Sequence, residues 1–268
     1  MAASIVYGIL VVGGVCLAAV GGLTLVQYLV PTSSRQRHND VAGFIYAVLG
    51  VIYAVLLALV VIAVWEDFGR ARETVESEAN ATAEIFWLAH RLPDPERGRL
   101  QELSRSYAEE VVEREWPLMR EGRAPLMEQG QATPNGWVLV DDIRETLQGF
   151  EPGTSAEEAL YAEGLDQVEE LASARRMRLV EAEEGLPAVL WVVLIFAGMA
   201  AVSFTYLFGL ESTWAHRLMV AALAAVIGLV LFTIGSMEHP FSGGASIGTG
   251  AFDLILERFE TSTLSDLR

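Results

Sequence analysis

Lysine is absent from this 268-residue chain, cysteine occurs once and histidine four times. All 18 basic residues are therefore arginines, set against 35 acidic residues for a net charge of −17. That balance argues against nucleic acid as a partner, because binding phosphates needs clustered cationic side chains that displace counterions. The lone Cys16 excludes a disulfide within the chain and a thiolate metal cluster. His38, His90, His216 and His239 show neither His-x-x-x-His nor His-Glu-x-x-His spacing. Glu238 and His239 are adjacent, so on a helix they diverge by about 100° and make a poor ligand pair. The glycine-rich "SGGASIGTG" after Pro240 lacks the lysine and the preceding strand of a phosphate loop, and reads as a flexible connector. Strand patterns are nearly absent. Nothing here supports an enzyme, and no cofactor is expected.

What is abundant is apolar residue, at 52% of the chain, and it is concentrated. The stretches 5–30, 41–65, 187–210 and 218–237 contain no Asp, Glu or Arg. A bilayer core of roughly 30 Å needs about 20 helical residues, so each is long enough to cross. The N-terminal "MAASIVYGILVVGG" has no basic residue ahead of an apolar run far longer than a signal-peptide core, which predicts a retained span. Between the second and third spans, residues 66–186 hold 28 acidic and 13 basic residues, a difference of −15, so nearly all the excess charge lies there. The expected fold is all-α: a polytopic membrane protein with four transmembrane helices and a helical cytoplasmic bundle inserted between the second and third. The expected divisions are 1–65 for spans one and two, 66–186 for the acidic helical domain, 187–240 for spans three and four, and 241–268 for a C-terminal tail.

Within the acidic segment the periodicity is helical. Val75, Ala79, Thr82, Phe86 and Ala89 recur at intervals of three and four, extending span two into water. "LPDPERGRL" breaks that helix, and a second one with Leu100, Leu103, Tyr107 and Val111 on one face follows to about Met119. "GRAPLMEQGQATPNG" reads as a loop and "WVLVDDIRETLQGF" as a short helix. Residues 154–184 read as a long helix burying Leu160, Leu165, Val168, Leu171 and Met177. Its many carboxylates are expected to be solvated. Four spans place both termini and the bundle on one side. Arg70, Arg72, Arg175, Arg176 and Arg178 on that side outnumber Arg35, Arg37 and Arg217 opposite, which favours the cytoplasm for the bundle; a bacterial inner membrane is the expected location.

The second span, "HNDVAGFIYAVLGVIYAVL" at 38–56, opens with three polar residues and contains two glycines. At 100° per residue, Asp40, Gly43, Ala47, Gly50, Ala54 and Ala58 fall within an arc of about 80°, a stripe of small side chains under a carboxylate. One reading is a tight seam between helices, since small residues let backbones approach in lipid. Another is that the stripe faces a central axis, where Asp40 from each subunit forms a ring that concentrates cations. Asp40 and Glu66 lie about 39 Å apart along such a helix, one at each mouth. One member of the pair Asn39 and Asp40 also suits a helix N-cap, which leaves the other and His38 to be explained. Tyr46 and Tyr53 flank the stripe and either pack against a neighbour or line a constriction. Gly14, Ala18 and Gly22 in span one suggest packing. Glu238, at the end of span four, is costly so close to hydrocarbon and takes either an interfacial stop or an ion-path role.

The segments "RHNDVAGFIYAVLGVIYAVLLALVVIAVWED", "ARETVESEANATAEIFWLAHRLP", "FTYLFGLES" and "EHPFSG" together resemble a family of prokaryotic membrane proteins described as bestrophin-like, over about residues 5–260. The resemblance implies an oligomeric ion channel with four membrane helices per subunit and cytosolic termini. Eukaryotic members pass anions through necks of bulky apolar residues, and some bacterial relatives select cations. The second span here has no triple-aromatic neck, Tyr46 and Tyr53 being the nearest substitutes.

These readings combine into an expected cation channel, a homo-oligomer of four or five subunits in the lipid bilayer, conducting monovalent ions or Ca²⁺. Asn39 and Asp40 form its outer selectivity site, with Asp40 touching the ion in transit. Gly43, Ala47, Gly50 and Ala54 permit close approach at the axis, and Glu66 with Glu238 guards the inner end. A bestrophin-type anion channel and a non-conducting scaffold or sensor that recruits a partner through the acidic bundle remain alternatives.

Overall fold

In a computed structural model of the chain, residues 2–37, 39–123 and 136–266 are described. His38 and most of the expected loop between Gly122 and Gly136 lie outside them. The described residues are helical, with no strand among them: α1 (Ala2–Leu29), α2 (Thr32–Gln36), α3 (Asn39–Ala89), α4 (Glu96–Glu110), α5 (Trp116–Arg120), α6 (Gly136–Gln148), α7 (Ser155–Glu183), α8 (Ala188–Phe204), α9 (Thr213–Met237) and α10 (Gly250–Asp266). Four segments are long and apolar enough to cross a membrane: Val6–Leu29, Asn39–Ala89, Ala188–Leu207 and Thr213–Met237. The chain is thus an all-α polytopic membrane protein, as the apolar runs predict.

Two compact units divide it, one of residues up to Glu66 with Gly185–Glu238, the other of Asp67–Glu184 with the chain from His239 onward. In the first, α1 runs along α9. Helices gain little in lipid from hiding apolar surface, so their association depends on close backbone approach and interhelical hydrogen bonds. Both occur here. The Tyr206 hydroxyl donates to the Ala19 carbonyl at 2.8 Å, over Gly22, where an added Cβ would stand 2.9 Å from that hydroxyl oxygen. Gly14 and Ala18, the other packing positions expected in this helix, are exposed on the single chain, whose inward face of α1 is carried by Ala19 and Leu23.

The second unit closes around an apolar core to which every helix from α3 onward in that unit contributes. Val75, Ala79, Thr82, Phe86 and Ala89 of α3 are buried, as are Leu100, Leu103, Tyr107 and Val111, all as periodicity requires. A capping box starts α7: the Glu157 amide donates to the Thr154 hydroxyl at 3.2 Å and the Thr154 amide to the Glu157 carboxylate at 3.0 Å. On α7, Val168 and Leu171 are buried and Leu160 and Leu165 partly so, but Met177 is 44% exposed, against expectation. The inward positions that follow Leu171 at helical spacing are Arg175 and Arg178, and Met177 falls on the other side. The C-terminal stretch after Pro240 contains α10, which buries Phe252, Ile255 and Phe259 in the same core.

Those two arginines anchor a charged cluster inside the apolar core. Arg178 binds Glu78 through Nε at 2.5 Å and Nη2 at 2.9 Å, and Nη2 also reaches Glu115 at 2.7 Å. Arg175 takes Glu115 in a fork at 2.6 and 2.9 Å, and the Tyr107 hydroxyl donates to Glu78. None of the four charged side chains is more than 1% exposed, so the expectation that the bundle's carboxylates are merely solvated fails here. A π-helical turn at Val111–Glu115 leads α4 into α5 and carries Glu115 inward. Trp137, 5.0 Å from the Arg175 guanidinium, and Trp116, 5.8 Å from that of Arg178, cover the cations. Gly136 is needed at the start of α6, because a Cβ there would fall 2.4 Å from both Arg175 and Glu115.

Burial alone would raise the Glu115 carboxyl, but Arg178 and Arg175 outweigh it and hold the group below its ordinary value. Its stabilising effect is therefore complete above the unfolded-state value and lost as pH falls through the depressed one. Replacing Arg178 with Met strands Glu78 and half of Glu115's partners, and is expected to cost roughly 3–5 kcal/mol. Met177→Ala, on the exposed side of the same helix, should stay within about 0.5 kcal/mol of the parent. Thermal unfolding of the two purified variants checks both, and equal Tm losses would refute the assignment.

Candidate functional site

The second span is the N-terminal part of α3, and its two sides differ. Ala42, Tyr53, Val60 and Val64 are buried against the other membrane helices. Asp40, Ala47, Ala54 and Ala58 are exposed, and a Cβ added at Gly50 would meet no atom within 4 Å. At Gly43 the nearest atom to such a Cβ would be a ring carbon of Phe208 at 3.9 Å. The small-residue stripe is therefore not a seam within the chain. It lies open along a helix flank headed by Asp40, and Glu66, also exposed, stands further along the same helix on a different face.

Asn39 is placed differently from its neighbour. Its side-chain amide donates to the Gly209 carbonyl at 3.0 Å, and its oxygen accepts from the Gly209 amide at 3.0 Å. This pair of hydrogen bonds clamps the start of α3 to the loop after α8. Arg35 of α2 strengthens the same corner, being buried and donating through Nη1 to the carbonyls of Tyr206 and Phe208, each at 3.2 Å. These carbonyls end the short helical turn that follows α8, where a cation is favoured. His216 completes the corner, buried, with Nε2 3.0 Å from the Thr205 carbonyl oxygen.

Both tyrosines are committed to the chain's own packing. Tyr46 stacks near Phe204 at 6.1 Å and meets Phe208 edge-on at 5.8 Å. Tyr53 is buried, and its hydroxyl donates to the Leu194 carbonyl at 3.3 Å. Gly198 makes room for it, since a Cβ there would lie 2.7 Å from the hydroxyl oxygen. Within the chain, both therefore make the packing contacts that the sequence allowed for them. Glu238, at the end of α9, accepts the indole N–H of Trp191 at 2.7 Å, which holds its carboxylate against α8. Among the described residues no three His, Cys, Asp or Glu side chains gather as a metal site. Several carboxylates can meet at Asp40 only if several subunits supply them.

The Bestrophin-like domain profile matches residues 13–252. The chain belongs to the bestrophin-like family. Two point-mutant crystal structures of a bacterial bestrophin homolog from Klebsiella pneumoniae share its fold, with TM-scores of 0.66 and 0.64 at 14% and 13% identity. The superpositions cover 92% and 94% of this chain and 98% of each homolog chain. A crystal structure of a further membrane protein variant gives a TM-score of 0.63 at 14% identity, over 92% of this chain and 96% of that one. No curated protein matches the sequence. The family is one of membrane proteins rather than enzymes.

Sequence reasoning grouped Asn39 with Asp40, and the structure separates them into a clamp and an exposed carboxylate. Removing the clamp by Asn39→Ala leaves Gly209 without either partner and is expected to cost about 1–3 kcal/mol. Asp40→Asn should change stability by less than about 0.5 kcal/mol. Paired Tm measurements on the bestrophin-like protein in detergent check this ordering, and an Asp40→Asn loss as large as that of Asn39→Ala contradicts it.

Proposed function

We propose that this bestrophin-like protein is the subunit of a homo-oligomeric cation channel whose pore is lined by the exposed flank of α3. The observation that carries the reading is that flank itself: small side chains with no partner in their own chain, headed by an exposed carboxylate. Family membership and the fold shared with bacterial bestrophin homologs support the channel assignment. In an assembly of four or five copies, Asp40 carboxylates form a ring at one mouth, raising local cation concentration and repelling anions. Gly43, Ala47, Gly50 and Ala54 leave width for water below that ring, and Glu66 adds negative charge at the other end. Glu238, at the end of α9, joins Glu66 in guarding that inner end, its carboxylate held by the Trp191 indole. A divalent ion such as Ca²⁺ favours several carboxylate oxygens at once, which a ring provides and one subunit does not. The bundle faces the cytoplasm and the spans cross the inner membrane.

Asn39 is left out of the selectivity site, because both ends of its amide are occupied. The test is the reversal potential of purified protein in liposomes under a salt gradient. Asp40→Asn is expected to shift it away from cation preference, while Asn39→Asp shifts it little if folding survives. An unchanged potential in Asp40→Asn removes the carboxylate ring, and a chloride-side potential in the parent protein replaces the cation reading by the anion one.

A further inference from the structure

Among the carboxylates buried in the bundle, Glu78 and Glu115 are held by arginines and Glu110 pairs with Arg114 at 3.4 Å. Glu181 has no such partner. It is 7% exposed and projects from α7 toward α3, where its Oε1 accepts the Thr74 hydroxyl at 3.2 Å. Its Oε2 is sealed from solvent and has no hydrogen-bond partner. The charged groups that act on it are Arg70 and Asp67 from α3 and Glu184, the residue that caps the end of its own helix. Arg70 is engaged elsewhere, pairing with Asp67 at 3.2 Å on the exposed side of the seam.

An ionised carboxylate enclosed with a single donor carries an uncompensated desolvation cost, whereas a neutral one does not. Burial pushes the Glu181 carboxyl above its ordinary range. The Thr74 hydrogen bond and Arg70 oppose that shift, while Glu184 and Asp67 reinforce it. No set of three ligating side chains gathers here among the described residues, so a proton fits the site better than a metal ion does. We propose that Glu181 is a proton-binding switch in the seam between α3 and α7, neutral while the seam is closed and ionised only when water or Arg70 reaches Oε2. The closed seam then binds a proton that the opened or unfolded chain releases. Its stability is greatest below the ordinary glutamate value and declines as pH rises through the raised one.

Infrared difference titration of the purified full-length chain reads the proton directly, through the carbonyl stretch of a neutral carboxyl. A band that persists above the pH at which ordinary glutamates ionise, and that is lost in Glu181→Gln, is the expected result. Asp67→Asn removes one negative neighbour and frees Arg70, so it should move the band's midpoint to lower pH. Arg70→Gln should move it to higher pH. Both of these side chains are more than half exposed, so the two variants serve even if Glu181→Gln does not fold. A band unchanged by Glu181→Gln, or a midpoint unmoved by both neighbours, overturns the proposal.

Discussion

The helical bundle depends on the four-charge cluster that joins α3, α7 and the turn leading into α5. Two arginines and two glutamates sum to no net charge, and every guanidinium faces a carboxylate within 2.9 Å. Burying such a group gains little over burying leucines of the same volume. What it changes is tolerance for error. If α7 slipped by one residue against α3, Arg178 would leave Glu78 and two ions would be stranded without water. An apolar seam would merely repack. The cluster thus penalises wrong helix registers far more heavily than an oily core does, in a domain whose other core residues are mostly interchangeable aliphatics.

The membrane unit meets the same need by other means. Lipid offers no reward for hiding leucine, so position must come from directed bonds and close approach. Tyr206 to Ala19, Tyr53 to Leu194 and Asn39 to Gly209 each tie a side chain to the backbone of a different helix or loop. Gly22 and Gly198 lie under the first two of these bonds, where no larger residue fits. Arg35 and His216 serve at the loop end, satisfying carbonyls that a terminating helix leaves open.

Much of this was legible in the residues. The four apolar runs, the continuation of α3 past the membrane and the buried faces of α3 and α4 follow from length and periodicity alone. The first failure has a plain cause: hydrophobic pattern treats charge as outward. It put Met177 inside and was blind to Arg175 and Arg178, because nothing in "SARRMRL" states that two acids sixty or more residues away will meet them. The helix α10 was missed because its glycine-rich lead-in reads as a connector, though Phe252, Ile255 and Phe259 already carried helical spacing. Asn39 and Asp40 looked alike in sequence. Only the backbone of Gly209, more than a hundred residues away, distinguishes a clamp from an exposed acid.

The exposed flank of α3 acquires its meaning from the solvent around it. In water, exposed Phe44, Val48 and Ile62 would mark a sticky surface, but against acyl chains they are at rest. Against lipid it is the small residues that need a reason. Glycine weakens a helix relative to alanine and leaves less surface for acyl chains to pack on. A carboxylate at the helix start, at the edge of hydrocarbon, is tolerated only near water or a partner. Small residues and an acid on one narrow arc thus gain nothing from lipid and suit either another subunit's backbone or a column of water. Around a symmetry axis these two environments adjoin, so in the proposed channel a single flank would touch a neighbour with Gly50 while Ala47 and Ala54 bordered a water path under Asp40.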